Sequence, residues 1–86
     1  MKTVIDKSTN ERLTILSEEC AELIQVVCKV QRFGLSDPRT QDHLIQELGD
    51  VIAMVGIITQ KLDIPEDVLY DAVCKKLEKL KKFTKY

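Results

Sequence analysis

Two short acidic motifs hold the residues of this sequence that are best suited to chemistry. The first is EECAE at residues 18–22, and the second is ELGD at residues 47–50. Both lie among apolar residues in stretches whose pattern predicts helix. A carboxylate buried among apolar groups is costly unless it is paired or bound to a metal. The sequence therefore predicts that these carboxylates converge to hold a divalent metal against a polyphosphate.

The spacing within each motif places its acids side by side. Residues three or four apart share a helix face, so Glu19 lies beside Glu22 and Glu47 beside Asp50. A short loop predicts antiparallel helices, which lets the two pairs face each other. Like charges about 4 Å apart repel by about 1 kcal/mol in water, and by more in a partly buried site. Oxygen-only ligands favour a hard ion, so we expect all four acids to bind Mg²⁺ or Mn²⁺.

The alternative is that these acids are solvated positions on amphipathic helices, as most charged residues are. Glu47 and Asp50, however, directly precede the apolar run VIAMVGII and lie on the side of Met54 and Ile58. If these acids were solvated, the same side of the helix would change from exposed to buried within one turn. This favours the metal site. His43, four residues before Glu47, is more simply explained as a surface histidine than as a ligand.

Hydrophobic periodicity predicts an all-α fold of three main helices joined by short loops. They run from about Asn10 to Phe33, from about Pro38 to Leu62 and from about Glu66 to Phe83. Ser8 and Glu11 fit a capping box at the first helix. With a length of 86 residues, the chain is expected to form one domain.

Loop residues and apolar stripes refine this prediction. Gly34 suits the end of the first helix, and Asp37 with Pro38 suits the start of the second. The core stripe of the first helix is predicted to consist of Leu13, Leu16, Cys20, Leu23, Ile24, Val27 and Gln31. The inward residues of the third helix are predicted to be Val68, Leu69, Ala72, Val73, Leu77 and Leu80.

The second helix predicts self-association. From Val51 to Ile58 it carries no polar side chain, and a helix that is apolar on every side must be enclosed on every side. Two other helices of one chain cannot easily do this. We therefore expect a homodimer or homotetramer that completes a helical bundle around this helix. Gly49 and Gly56 share a face and would let another helix approach closely.

Composition excludes several classes of protein. Apolar residues are 44% and charged residues 31%, an ordinary balance for a soluble globular protein. The net charge of -1 does not support a nucleic-acid binder. No segment approaches the roughly 18 to 20 apolar residues that would span a membrane. Three cysteines without a CxxC pair favour a reducing, cytoplasmic setting without a disulfide.

Three segments together resemble a known family. LSEECAELIQVV, QELGDVIAMV and KLDIPEDVL look like the MazG-type nucleotide pyrophosphohydrolases of the all-α NTP pyrophosphatase superfamily. The resemblance covers about Leu13 to Phe83. It implies hydrolysis of a nucleoside triphosphate between the α and β phosphates, which gives the monophosphate and pyrophosphate.

The resemblance also implies roles for individual residues. The acids that hold Mg²⁺ in the family correspond to Glu19, Glu22, Glu47 and Asp50. Glu18 matches the first acid of the motif, and we expect Glu18 and Glu19 to act in catalysis by supporting the site or the attacking water. Apart from the resemblance, Lys29 and Arg32 are alternative phosphate contacts about two to three turns after Glu22, and Phe33 is the aromatic residue best placed to stack on a nucleobase. The predicted substrate-binding set is completed by Lys76 and Lys79. The last two match basic residues of the family's final helix, but Leu80 and Lys82 replace the asparagine and arginine that often follow.

Two alternatives stay open at this point. Phosphoribosyl-ATP pyrophosphatase has similar acid spacing, although its second motif usually continues with Tyr-His, where this chain has Ala53-Met54. The other alternative is a non-catalytic helical module for oligomerisation or regulation. The effect of Mg²⁺ on thermal stability distinguishes the second alternative from an enzyme. A carboxylate site that binds the ion is stabilised by mass action, and a scaffold without such a site is not.

Overall fold

Three helices account for most of the chain. The computed structural model describes residues 1–83, in which α1 spans Lys7–Phe33, α2 spans Pro38–Lys61 and α3 spans Glu66–Phe83. No strand occurs among these residues. The all-α class and the three predicted helices are therefore confirmed.

The first helix begins earlier than the sequence predicts. Asp6 is the N-cap of α1, and its Oδ1 accepts a hydrogen bond of 2.7 Å from the backbone N–H of Thr9. The predicted capping box of Ser8 and Glu11 is therefore wrong, because both residues lie inside the helix. At the other end, Gly34 has a φ of 78° and its N–H donates to the Val30 carbonyl, so the predicted stop is confirmed.

The cap provides a simple stability test. We expect Asp6→Ala to lower the melting temperature by about 5 °C, because a backbone N–H of the first turn loses its acceptor. Glu11→Ala is the matched control, because Glu11 belongs to the predicted capping box but is exposed within α1, and its effect should be smaller. Thermal unfolding followed by circular dichroism measures both, and a larger loss for Glu11→Ala would contradict the observed cap.

The second helix begins where the sequence predicts. Pro38 is its first residue, and the Asp37 carboxylate caps it by accepting from the backbone N–H of Arg39 at 2.9 Å. The helix ends at Lys61, next to the turn that contains Asp63, which has a φ of 53°. The N–H of Lys2 donates to the carbonyl of Leu62, one residue before Asp63, at 2.7 Å. This hydrogen bond attaches the N-terminal segment to the end of α2.

The core lies between α1 and α2, which pack against each other along their length. A four-residue loop joins them, so they run antiparallel. Lys61 Nζ at the end of α2 accordingly donates to Ser8 Oγ near the start of α1, at 3.0 Å. The buried apolar side chains of this interface are Val26, Met54 and Ile58.

The predicted core stripe of α1 is only partly correct. Leu13, Leu16 and Leu23 are half-buried. The other four residues of the stripe are exposed in the single chain: Cys20, Ile24, Val27 and Gln31. The single predicted stripe combined two adjacent strips of α1, and only one of them faces α2.

The third helix departs most from expectation. It has no buried residue and packs little against α1 or α2. Leu69 and Leu80 are half-buried, but the other four predicted inward residues are exposed: Val68, Ala72, Val73 and Leu77. The chain measures 44 × 33 × 15 Å, so it is a layer only slightly thicker than one helix of about 10 to 12 Å.

Candidate metal site

A glutamate, Glu47, lies at the interface between α1 and α2. Glu47 is only 5% exposed and shares the buried stripe of α2 with Thr40 and Met54, each seven residues away. Seven residues are nearly two helical turns, so these side chains point in the same direction. The sequence around Glu47 thus folds it inward, as its position beside Met54 predicts.

Two further acids meet Glu47 there. Glu19 projects from α1 and Asp50 from the next turn of α2, so that one oxygen from each of the three acids lies within 4.8 Å of the others. Glu19 is half-buried and Asp50 is exposed. The cluster is therefore open to solvent on the side of Asp50 and closed at Glu47.

Two oxygens of the cluster lack a hydrogen-bonding partner. Glu19 Oε2 and Glu47 Oε2 are buried, and neither receives a hydrogen bond. An ionised carboxylate is only an acceptor, and buried polar atoms normally have a partner. The two oxygens thus need a donor or a cation that the described residues do not supply.

The protonation of both glutamates is perturbed. Burial raises the pKa of Glu19 above its ordinary value of 4.5, and repulsion by Glu22, Asp50 and Glu47 raises it further. Burial likewise raises the pKa of Glu47, with added repulsion from Glu22 and Asp50, while His43 acts in the opposite direction. The site disfavours its own negative charges and would be relieved by a cation.

The donor set fits magnesium. An octahedral Mg²⁺ has ligands at about 2.0 to 2.1 Å, so opposite ligands are about 4.2 Å apart. The 4.8 Å spread of the Glu19, Glu47 and Asp50 oxygens is only slightly wider. Oxygen-only donors select hard ions such as Mg²⁺ or Mn²⁺, so these three residues could hold such an ion.

The remaining predicted acids lie around this cluster. Glu22 is exposed but close enough to contribute the largest repulsion on both Glu19 and Glu47. Glu18 is exposed on the solvated side of α1, and no hydrogen bond or ion pair to it occurs within residues 1–83. The structure therefore brings Glu19, Glu47 and Asp50 together, with Glu22 at the margin of the cluster and Glu18 outside it.

His43 contacts the cluster, which the sequence did not favour. Its Nε2 lies 3.5 Å from Oε1 of Glu47, and its side chain is half exposed. This contact leaves Oε2 as the free oxygen of Glu47. The only signal in the sequence was the spacing of four residues between His43 and Glu47.

Three predicted substrate-binding residues lie at the end of α1. Lys29 is seven residues after Glu22, so it lies on the same side of the helix about 10 Å further along. It is near enough to Asp37 to help keep the pKa of that carboxyl below its ordinary value, after the larger effect of the hydrogen bonds from Arg39. Arg32 lies 5.9 Å from the ring centre of Phe33, which is exposed.

The two predicted lysines of α3 are separate from the cluster. Lys76 and Lys79 are exposed on a helix that packs little against α1 or α2. No hydrogen bond or ion pair within residues 1–83 connects either lysine with the acids. Their predicted role in substrate binding stays a prediction.

Comparison with known proteins adds one finding. The family model for the MazG nucleotide pyrophosphohydrolase domain matches residues 7–84, nearly the whole chain. No curated protein and no solved structure matches the chain.

No helix within residues 1–83 is long and apolar enough to cross a membrane.

Proposed function

Because this chain belongs to the MazG nucleotide pyrophosphohydrolase family, we propose that it hydrolyses nucleoside or deoxynucleoside triphosphates between the α and β phosphates. The products are a nucleoside monophosphate and pyrophosphate. The main support is the cluster of Glu19, Glu47 and Asp50, whose donor atoms lie within 4.8 Å of one another. Its two buried oxygens have no hydrogen-bonding partner, which a bound cation would supply, and the family acts on nucleotides.

The proposed cofactor is Mg²⁺, with Mn²⁺ as a substitute. Glu19, Glu47 and Asp50 would hold it, and Glu22 at the margin of the cluster would complete the acidic set. When bound, the ion neutralises phosphate charge and makes a coordinated water more acidic. Magnesium commonly bridges carboxylates to substrate phosphates, and the open side of the cluster at Asp50 leaves room for them.

Other residues of the chain would bind and orient the substrate. Lys29 lies on the same side of α1 as Glu22 and would contact phosphate oxygens. Arg32 and the exposed Phe33 follow at the helix end, where the ring is available to stack on a nucleobase. Glu18 lies outside the cluster, one turn before Glu22, and would support the site or the water that cleaves the bond between the α and β phosphates.

A panel of nucleotides tests the proposed activity. With millimolar Mg²⁺, we expect pyrophosphate release from at least one canonical or modified triphosphate, and none after the metal is removed with EDTA. Phosphoribosyl-ATP belongs in the same panel. Turnover of phosphoribosyl-ATP without turnover of any ordinary triphosphate would contradict the proposed activity and favour a phosphoribosyl-ATP pyrophosphatase.

The same experiment addresses the non-catalytic alternative when it includes a melting curve. Binding of Mg²⁺ at 100 times its Kd would stabilise the protein by about 2.7 kcal/mol through mass action. No pyrophosphate release with any nucleotide, together with a melting temperature unchanged by Mg²⁺, would favour a helical scaffold and contradict the proposal.

A further inference from the structure

His43 is the only histidine of the sequence, and the proposed function gives it no role. It precedes Glu47 by four residues on α2, so the two side chains lie on one face of the helix. Its Nε2 lies 3.5 Å from Glu47 Oε1, and its ring is half exposed. An accessible nitrogen donor thus contacts the most buried carboxylate of the acid cluster.

The length of this contact distinguishes between two roles for the histidine. A hydrogen bond from an N–H to an oxygen normally measures about 2.7 to 3.2 Å, so the observed 3.5 Å is too long for a strong one. Tetrahedral Zn²⁺ has nitrogen and oxygen ligands at about 2.0 to 2.2 Å, which places two of them about 3.3 to 3.5 Å apart. Neighbouring ligands of octahedral Mg²⁺ would be only about 3.0 Å apart. The observed separation therefore matches two ligands that share a zinc ion.

The chemistry of the two donors favours the same ion. Imidazole nitrogen is a common ligand of Zn²⁺, whereas Mg²⁺ is bound by oxygen. Ligands four residues apart on one helix can bind a single zinc ion, as the two histidines of helical zinc motifs do. Because the ring of His43 is half exposed, water has access to the remaining coordination positions.

The second oxygen of Glu47 also indicates a need for a cation. Oε2 is buried and receives no hydrogen bond, although buried polar atoms normally have a partner. Glu47 is almost fully buried, so water hydrates its negative charge poorly. A carboxylate can bind one ion through each of its two oxygens. Glu47 can therefore serve an ion beside His43 as well as the ion of the acid cluster.

We propose that His43 and Glu47 form a binding site for Zn²⁺ adjacent to the Mg²⁺ site of the acid cluster. Nε2 of His43 and Oε1 of Glu47 are its two protein ligands, and water completes the tetrahedron. Glu19 and Asp50 belong to the Mg²⁺ site alone. Zn²⁺ beside His43 would reduce the negative charge available to Mg²⁺, which makes the site regulatory. This inference rests on the proposed function only for the Mg²⁺ site, and it does not require hydrolysis.

The single histidine allows a local test by NMR. Free cysteines also bind Zn²⁺, so the measurement must report on His43 itself. At about pH 8, where protons compete little with the metal, Zn²⁺ should shift the Nε2 resonance of His43 in wild type and in Asp42→Asn. Asp42 is the matched control, because it is exposed and adjacent to His43 in sequence. Mg²⁺ should leave this resonance nearly unchanged.

Two further variants separate the neighbouring sites. Glu47→Gln should abolish the response of His43 to Zn²⁺, since it removes the chelating carboxylate. Asp50→Asn should weaken the thermal stabilisation by Mg²⁺ and keep the response of His43 to Zn²⁺. No response in the wild type, or equal loss of response in Asp50→Asn and Glu47→Gln, would overturn the proposal. A protein that hydrolyses no nucleotide would contradict the proposed function and leave these measurements unaffected.

Calorimetry on protein with alkylated cysteines tests whether His43 is a ligand or only orients Glu47. Loss of a residue that merely supports a metal ligand already costs about 10-fold in affinity or more. We therefore expect His43→Gln to weaken Zn²⁺ binding at least about 10-fold, with little change in Mg²⁺ binding. Unchanged Zn²⁺ binding, or an equal loss for both ions, would overturn the proposal, the latter because it would show that His43 only positions Glu47.

Discussion

Replacement of Glu47 by glutamine is expected to reduce pyrophosphate release by at least about 100-fold. Loss of residues that only support a metal ligand already costs about 10- to 100-fold, and Glu47 supplies a buried, unpartnered oxygen to the cluster itself. Glutamine keeps the shape of the side chain and removes its charge. The loss should appear in kcat/KM at saturating Mg²⁺, and the rise in melting temperature on adding Mg²⁺ should shrink with it.

The same substitution should stabilise the protein when metal is removed. Glutamate at position 47 is buried beside Glu19 and Asp50, and a neutral side chain there avoids both desolvation and repulsion. Glu11→Gln is the matched control, because Glu11 is exposed on α1 and outside the cluster. It should change neither activity nor the response to Mg²⁺. Hydrolysis at the wild-type rate by Glu47→Gln would show that Glu47 is not a ligand needed for the reaction.

Without metal, the stability of the wild type should fall as the pH rises above about 4.5. The pKa values of Glu19 and Glu47 are raised in the folded chain above the ordinary value of 4.5. The folded state therefore holds these protons more tightly than the unfolded state does. The resulting stabilisation is complete below the unfolded pKa and is lost as the pH rises through the folded pKa. Burial is the main cause of both raised pKa values; repulsion by Glu22 and Asp50 adds to it, and Glu47 also repels Glu19.

Comparison with Glu47→Gln isolates this effect from other titrations. Asp6 and Asp37 have lowered pKa values because of the hydrogen bonds that they accept from Thr9 and from Arg39, respectively, so their contribution to stability disappears as the pH falls, in both proteins. Below pH 4.5 the wild type and Glu47→Gln should have similar melting temperatures in EDTA, and above it the wild type should melt lower. Millimolar Mg²⁺ should reverse the order. A difference that does not change with pH would contradict the raised pKa of Glu47.

Local signals in the sequence predicted most of the fold. Pro38 after Asp37, and Gly34 after a long apolar stripe, located the loop between α1 and α2 because each residue has a strong backbone preference. At the start of α1 the prediction rested on Ser8 and Glu11, whereas the observed cap is Asp6, two residues before Ser8. Aspartate and serine are both favoured N-caps, so the identity of Ser8 could not locate the start of the helix.

Long-range packing was less predictable. Leu16 and Ile24 lie on two adjacent apolar strips of α1, and periodicity does not indicate which strip faces α2. The direction of α3 after Pro65 depends on its contacts with other parts of the protein, and the sequence of α3 alone does not specify them. Helical spacing paired Glu19 with Glu22 and Glu47 with Asp50, but the meeting of Glu19 with Glu47 depends on how α1 and α2 align. The contact of His43 with Glu47 was visible only as a spacing.

The position of the acid cluster along the hairpin has a consequence for local unfolding. Glu19 lies near the middle of the 27-residue α1, and Glu47 is also well inside α2. Paired helices usually open from their ends, where fewest neighbours restrain them. Here the charges that oppose closure sit at the centre, while the Asp6 cap and the bond from Lys61 to Ser8 secure one end. Without metal, the α1–α2 pair is therefore expected to open locally at its centre. An ion that bridges the two helices would prevent this opening.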